Sequence, residues 1–159
     1  MDTVRTALRK SIKWNIEQIT TANGYLTNVQ KVYDPPKSID AMPYFPCVNL
    51  HWGREDRNNE TLMGNNELLD IRFECQMDFF FSESFDLPLA QDRSIADVQK
   101  RFGNNWYITD ENGIRRAFNS VYLAAEVWGI EGQKPTGGVS IYLETFYRIK
   151  LTDPYSMTH

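Results

Sequence analysis

The sequence contains few of the residues, and none of the short motifs, that usually mark an active site. It has two histidines and two cysteines in 159 residues. It lacks the glycine-rich phosphate loops, paired-cysteine motif, zinc-protease motif and serine-hydrolase motif that would identify common enzymes. No apolar run approaches the roughly 18 residues of a membrane span, and residues 1–15 lack the apolar segment of a secretory signal. We therefore expect no catalytic residue, cofactor or metal, and neither membrane association nor export.

The composition is that of one globular domain. The chain has 42% hydrophobic and 24% charged residues, and this length suffices to bury roughly 68–70% of the unfolded surface. The net charge of −4 argues against general affinity for DNA or RNA, which depends on cations that neutralise phosphates; a local basic patch is not excluded. Cys47 and Cys75 lie on predicted strands among apolar residues, so we expect buried free thiols rather than a disulfide.

Residues 69–81 predict a long central strand. Every odd position is apolar, and every even position except Phe80 is polar or charged. Because side chains alternate across a strand, this pattern puts one face on a core and the other face outward. We therefore expect an antiparallel sheet with one covered face.

Two helices are predicted around this sheet. Apolar residues recur at helical spacing over residues 3–22, and Gly24 supplies a left-handed stop. In the second helix Ser94 and Asp97 resemble a capping box, and a start nearer Asp86 is the alternative. Each helix has an apolar stripe that can pack on the covered face of the sheet.

Further strands precede and follow the central one, at residues 28–33, 46–52, 121–128 and 139–151. We expect residues 53–67 to form a projecting loop or hairpin tip, residues 131–138 a loop, and the tail from about residue 152 to be frayed. The element order α-β-β-β-α-β-β predicts a single α+β domain over residues 1–159, a mostly antiparallel β-sheet with two helices packed on one face.

Residues that could perform chemistry are too far apart along these strands. Cys47 and His51 lie four residues apart on one strand face, roughly 13 Å at ~3.3 Å per residue, which is too far to share a metal. The carboxylates of Asp70, Glu74 and Asp78 have the same spacing, beyond the ~5–9.5 Å used by glycosidase pairs. We therefore interpret His51 as a structural or surface residue and the carboxylates as a charged solvent or interface face. An enzyme would require loops to converge on such residues.

The outer face of the first helix is basic, with Arg5, Arg9, Lys10 and Lys13. Two interpretations are open, a patch for an anionic partner such as nucleic acid and an ordinary solvated helix face. We favour the solvated face because the cations are few and the chain as a whole is acidic.

Large aromatic residues on the outer strand faces predict an interface between subunits. Exposed rings at this density are usually covered by another subunit, unless a second layer of the same chain covers them. The two predicted loops would clasp neighbouring copies. The predicted interface residues are Arg54, Glu55, Asp56, Arg57, Phe80, Tyr122, Trp128, Lys134, Tyr142 and Phe146.

The order of short patterns resembles one known family. An opening amphipathic helix is followed by Asn23-Gly24-Tyr25, then Pro43-Tyr44-Phe45-Pro46-Cys47-Val48, then Gly53-Arg54-Glu55. With the long alternating strands around a second helix, this order resembles the tail terminator (tail completion) proteins of long-tailed bacteriophages over nearly the whole chain. The resemblance implies a small α/β domain without catalytic residues. Such domains form a hexameric ring that caps the tail tube and offers a surface to the head-side connector.

The resemblance also implies partners and a location. The ring would bind the tail tube protein and the head-side connector or neck protein, and the sheath if the tail is contractile. Genome DNA would pass through without specific binding, and the ring would lie at the head-proximal end of the virion tail after assembly in the host cytoplasm. The alternatives are another head–tail connector protein, a small α+β enzyme or ligand-binding domain, and a nucleic-acid-binding module.

Overall fold

The computed structural model describes residues 2–57, 68–103, 107–117, 119–130, 136–150 and 153–157. Within these residues the chain forms two α-helices and eight strands. They are α1 (Val4–Glu17), β1 (Lys31–Tyr33), β2 (Cys47–Arg57), β3 (Leu68–Phe81), α2 (Leu87–Gly103), β4 (Ile108–Thr109), β5 (Arg115–Ala117), β6 (Asn119–Ile130), β7 (Thr136–Lys150) and β8 (Asp153–Met157).

The main sheet has the strand order β1-β2-β3-β7-β6, and β8 pairs with the end of β7. Each pairing in it is antiparallel except that of β1 with β2. The short strands β4 and β5 form a separate two-stranded sheet. The prediction of an α+β fold with a mostly antiparallel sheet is therefore confirmed.

The central strand is β3, and its side chains alternate as the sequence predicts. Phe73, Met77 and Phe79 are fully buried on one face, where they pack with apolar residues of both helices. Removing such large apolar side chains from water stabilises the fold by about 1.5–3 kcal/mol each. Both helices thus cover the same face of the sheet, and the opposite face, which we call the open face, carries the even-numbered residues of β3.

The first helix is shorter than the predicted residues 3–22. It begins after Thr3, whose hydroxyl accepts a hydrogen bond from the Thr6 amide, and ends at Glu17. A 3₁₀ turn (Thr21–Asn23) and Gly24, at φ 81°, complete the reversal. Glycine suits this position because a positive φ is strained for other residues.

The second helix begins at the earlier of the two predicted starts. Its first residue is Leu87, and a carboxylate oxygen of Asp86 accepts from the Leu89 amide at 3.5 Å. Ser94 and Asp97 lie inside the helix, so the interpretation of these two residues as a capping box is wrong. Because the helix already begins at Leu87, Asp97 does not cap it. The Asp97 carboxylate instead accepts hydrogen bonds from the backbone amides of Leu26 and Thr27.

These hydrogen bonds make Asp97 a strong determinant of stability. Its carboxylate is 3% exposed, with Oδ2 2.6 Å from the Thr27 nitrogen. We expect Asp97→Ala to lower the free energy of unfolding by about 2–3 kcal/mol, because it leaves two backbone donors without their charged acceptor. Urea denaturation measures the change. The exposed Asp92 of the same helix is the control, and Asp92→Ala should stay within about 0.5 kcal/mol of wild type; equal losses would contradict this role of Asp97.

Three predicted segment boundaries are wrong. Strand β2 runs to Arg57, so residues 53–57 of the predicted loop belong to the sheet, and residues 58–67 lie outside the described residues. Strand β7 begins at Thr136, inside the predicted loop 131–138. The predicted frayed tail forms β8 over Asp153–Met157. Since β6 pairs with β7 only as far as Phe146, the last residues of β7 keep an edge with which β8 pairs.

Both cysteines are buried free thiols, as predicted. Burial raises the pKa of Cys47 from its ordinary value near 9 to about 12, and it raises the pKa of Cys75 as well. A thiol that stays protonated in the folded chain adds stability below pH 9, and this stability is lost as the pH rises from about 9 toward 12, because only the unfolded chain releases the proton.

This difference predicts an alkaline loss of stability that depends on Cys47. From about pH 8 to about pH 10.5, Cys47 should contribute a fall of about 2 kcal/mol in the free energy of unfolding. In Cys47→Ala the fall over the same interval should be smaller by that amount, measured by urea denaturation at both pH values. Val48→Ala is the control, since it removes a neighbouring buried group without removing a titrating one. An unchanged fall in Cys47→Ala would contradict the prediction.

Candidate assembly interface

The open face of the sheet is a polar surface organised by ion pairs between neighbouring strands. Arg148 of β7 binds Asp70 of β3 with two hydrogen bonds. Arg72 of β3 lies 3.2 Å from Asp56 of β2 and 3.6 Å from Glu144 of β7. Because these pairs join three adjacent strands, they stabilise this charged end of the open face. At the other end the chain covers the face itself, where Phe80 packs against the buried cluster of Tyr33, Met42 and Cys47.

Several of the predicted interface residues at the end of β2 form ion pairs within the chain. Asp56 binds Arg54 and Arg72; burial opposes its ionisation, but the two guanidinium groups outweigh burial and hold the pKa of Asp56 below its usual value. Glu55 is 3.0 Å from Arg5 of α1. Arg54 is 75% exposed and is the most available of this group. The backbone of Arg57 pairs with Ile71, and Lys134 lies outside the described residues.

Two of the predicted rings cover each other on the open face. Phe80 of β3 and Trp128 of β6 both lie opposite Gly138 of the strand between them, and their ring centres are 5.2 Å apart in an edge-to-face arrangement. The Trp128 indole also donates to the Ser140 hydroxyl at 3.1 Å. The missing side chain at Gly138 therefore makes room for the two rings, which are half-buried rather than freely exposed.

Tyr142 and Phe146 are half-buried on the same face. The Tyr142 hydroxyl lies 3.4 Å from Glu126 of β6; burial, followed by the charge of Glu126, raises the pKa of Tyr142. The rings lie outside the layer formed by the two helices, so the open face keeps a mixed aromatic and charged character. This composition matches that of many protein interfaces.

Tyr122 is not on the open face, and its predicted outward position is wrong. It lies opposite Leu143, packs against the hydrophobic core, and is separated from Ala124 by a β-bulge. A bulge adds one residue and reverses which positions face the core. The outward alternation predicted for β6 therefore holds for Trp128, beyond the bulge, and fails for Tyr122, before it.

Among the described strands, the large apolar side chains that are exposed lie on β6, at a free edge that was not predicted. Strand β6 pairs with β7 on one side and with no described strand on the other. Three apolar side chains on it are exposed, Val121 at 39%, Leu123 at 49% and Val127 at 60%. The sequence gives no direct signal of an edge, because alternating strands look alike wherever they lie in a sheet. A twelve-residue strand that exposes three apolar side chains and pairs on one side with no described strand can serve as a template for pairing with another chain.

A second free edge lies on the opposite side of the sheet. Strand β1 pairs with β2 only at Cys47–Asn49, so among the described strands the later part of β2 pairs with β3 alone. This part carries exposed residues of both signs, Arg54 and Glu55, whereas Glu126 is the charged residue of β6. The two edges are therefore different in sequence.

An acid–base pair on the open face was also missed by sequence reasoning. His51 Nε2 lies 3.0 Å from Asp78 Oδ2, and Gln76 donates to the other carboxylate oxygen at 2.8 Å. The pair joins two adjacent strands, which residue spacing along one strand cannot reveal. In the described part of the chain His51 has no hydrogen bond to a serine, threonine or cysteine, so the pair has no nucleophile there. Nor do the described residues group three potential metal ligands.

The basic face of α1 is neutralised within the chain. Arg5 pairs with Glu55, Arg9 with Asp34, Lys10 with Asp2 and Lys13 with Glu17, at 2.6–3.5 Å. Arg9 also lies over the Trp52 ring at 4.7 Å. Because each cation already faces a carboxylate, the solvated-face interpretation is the better one, and a phosphate-binding patch has little support.

Neither a model of a known protein family nor a curated protein matches this sequence. No helix in the described ranges is both long and apolar enough to cross a membrane.

Proposed function

We propose that this chain is a structural protein of virus assembly that forms a ring on the end of a phage tail tube and joins it to the head-side connector. The observation that carries the proposal is the edge of β6, which pairs with no described strand and exposes apolar side chains, Val127 by 60%. Such an edge can pair with a strand of another chain, although Glu126 and the bulge before Ala124 are features that limit this pairing. Pairing with another subunit would cover this edge, which fits an assembly protein.

The two free edges favour a ring over a symmetric dimer. A closed ring needs head-to-tail contacts in which one patch meets a different patch on the next copy. The β6 edge of one copy and the later part of β2 in the next copy are such patches, because the two edges differ in sequence. The open sheet face then continues from subunit to subunit around the ring, which we propose to be hexameric.

The remaining partners follow from the same role. One face of the ring would bind the last tube ring and the other face the connector or neck protein, with the sheath alongside if the tail is contractile. The net charge of −4 would let genome DNA pass without sticking, since like charges repel. The alternative role is that of another head–tail connector protein, which the free edge of β6 would also fit.

Electron microscopy of the purified protein, with light scattering at micromolar concentration, tests the proposal. Rings with a central hole and a matching mass are the expected result. If the protein stays a monomer both alone and mixed with purified tail tubes, the proposal is wrong. Rings that bind a portal or neck complex but not tube ends would favour the alternative connector role.

A further inference from the structure

A second unassigned surface lies where β3 ends and α2 begins. A partly open cavity of about 300 Å³ is formed there by the segment after Gly24, the two residues before β2, the end of β3 with the turn after it, and the first turns of α2. Its apolar lining includes Leu26, Phe45, Phe81 and Phe85. None of the lining residues belongs to β6, so strand pairing along β6 does not by itself fill this cavity.

The wall of the cavity is held in place by the fold. Asp97 fixes the amides of Leu26 and Thr27 against α2, and the rings of Phe81 and Phe85 pack 5.7 Å apart. A site whose wall is already fixed loses little conformational freedom on binding. The cavity is therefore a preformed pocket.

Two groups at this pocket lack the partners that a finished surface would supply. Leu26 is 62% exposed, although it borders an apolar pocket. The exposed guanidinium of Arg93 lines the same pocket and forms no ion pair with any described carboxylate. An apolar pocket with an unpaired cation at its rim fits an apolar group that carries a negative charge beside it.

We propose that this pocket binds a segment of a partner protein, which inserts one large apolar side chain, preferably aromatic, and places a neighbouring Asp or Glu on Arg93. The volume is at the lower limit for ligand pockets, which hold about 300–1,000 Å³, so one side chain fits better than a whole cofactor. The inserted ring packs against Phe81 and Phe85.

Blocked peptides test the proposal on the full-length protein. The probes are short acetylated and amidated peptides with Phe-Asp, Phe-Asn or Ala-Asp at their centre, titrated while the backbone amide signals of Thr27, Ala90 and Arg93 are followed by NMR. We expect saturable shifts with Phe-Asp, binding about threefold to tenfold weaker with Phe-Asn because it lacks the charge, and no saturation with Ala-Asp.

Matched variants separate the two parts of the site. Arg93→Gln should weaken Phe-Asp to the level of Phe-Asn and leave Phe-Asn unchanged, whereas Phe85→Ala should abolish both. Arg115→Gln, which changes an exposed arginine outside the pocket, should have no effect. The proposal is overturned if the pocket amides do not shift with Phe-Asp, or if Arg93→Gln weakens both phenylalanine peptides equally. It is also overturned if the amides shift with protein concentration alone, which would make a second copy the occupant.

Discussion

In the proposed ring, replacing Leu123 and Val127 by lysine should convert the assembly into monomers. Both side chains are about half exposed or more on the free edge of β6, and pairing with another strand would bury them. Two ammonium groups in that contact would replace apolar side chains and lose water on assembly. We expect the double variant to weaken self-association by about a hundredfold or more, measured by sedimentation velocity over a range of concentrations.

The control for this experiment is a lysine at another exposed apolar position. Ile114 is 49% exposed in the turn between β4 and β5, outside the main sheet. Ile114→Lys changes net charge as each edge lysine does, but it should leave assembly intact. If Ile114→Lys dissociates the assembly as effectively as the edge variant, charge and not the β6 edge controls association. If neither variant does so, β6 is not the contact.

Among the described glycines, Gly138 is the one whose replacement by alanine should destabilise the fold most. A Cβ at this position would lie 1.9 Å from the Phe79 carbonyl oxygen and 2.7 Å from the Trp128 ring. Neither neighbour can give way cheaply, because one is backbone in the central strand and the other is packed against Phe80. We expect a loss of about 3–5 kcal/mol in the free energy of unfolding, measured by urea denaturation.

Gly129 provides the matched control on the neighbouring strand. A Cβ there meets nothing within 4 Å, so Gly129→Ala should be neutral or slightly stabilising, by up to about 1 kcal/mol. If both variants lose stability equally, the space at Gly138 is not what matters. A Gly138→Ala protein that stays folded should also show altered Trp128 fluorescence, because the Phe80–Trp128 contact depends on the missing side chain.

The alternation in β3 was predictable because this strand is regular and buried on one face along its whole length. Phe73, Met77 and Phe79 reach the core by the period of two alone. The same reasoning failed at Tyr122, where the bulge before Ala124 reverses the faces of β6. A bulge is stabilised by contacts with the neighbouring strand, which the local sequence does not contain.

The candidate interface was predicted in part. The aromatic and charged character of the open face followed from the even positions of β3 and β7. The mutual cover of Phe80 and Trp128 did not, because it depends on Gly138 lying between them in register. The free edge of β6 could not be predicted either, because strand order and not composition decides which strand lies at the edge of a sheet.

The sequence by itself determined the α+β class, the two-sided central strand, the buried thiols and the acidic charge, because periodicity and composition act locally and additively along the chain. Only the tertiary structure decided which strand lies at the edge, which rings cover each other, and which carboxylate meets His51 or the cations of α1. Those choices depend on register and strand order, which are set by long-range pairing between segments far apart in the chain.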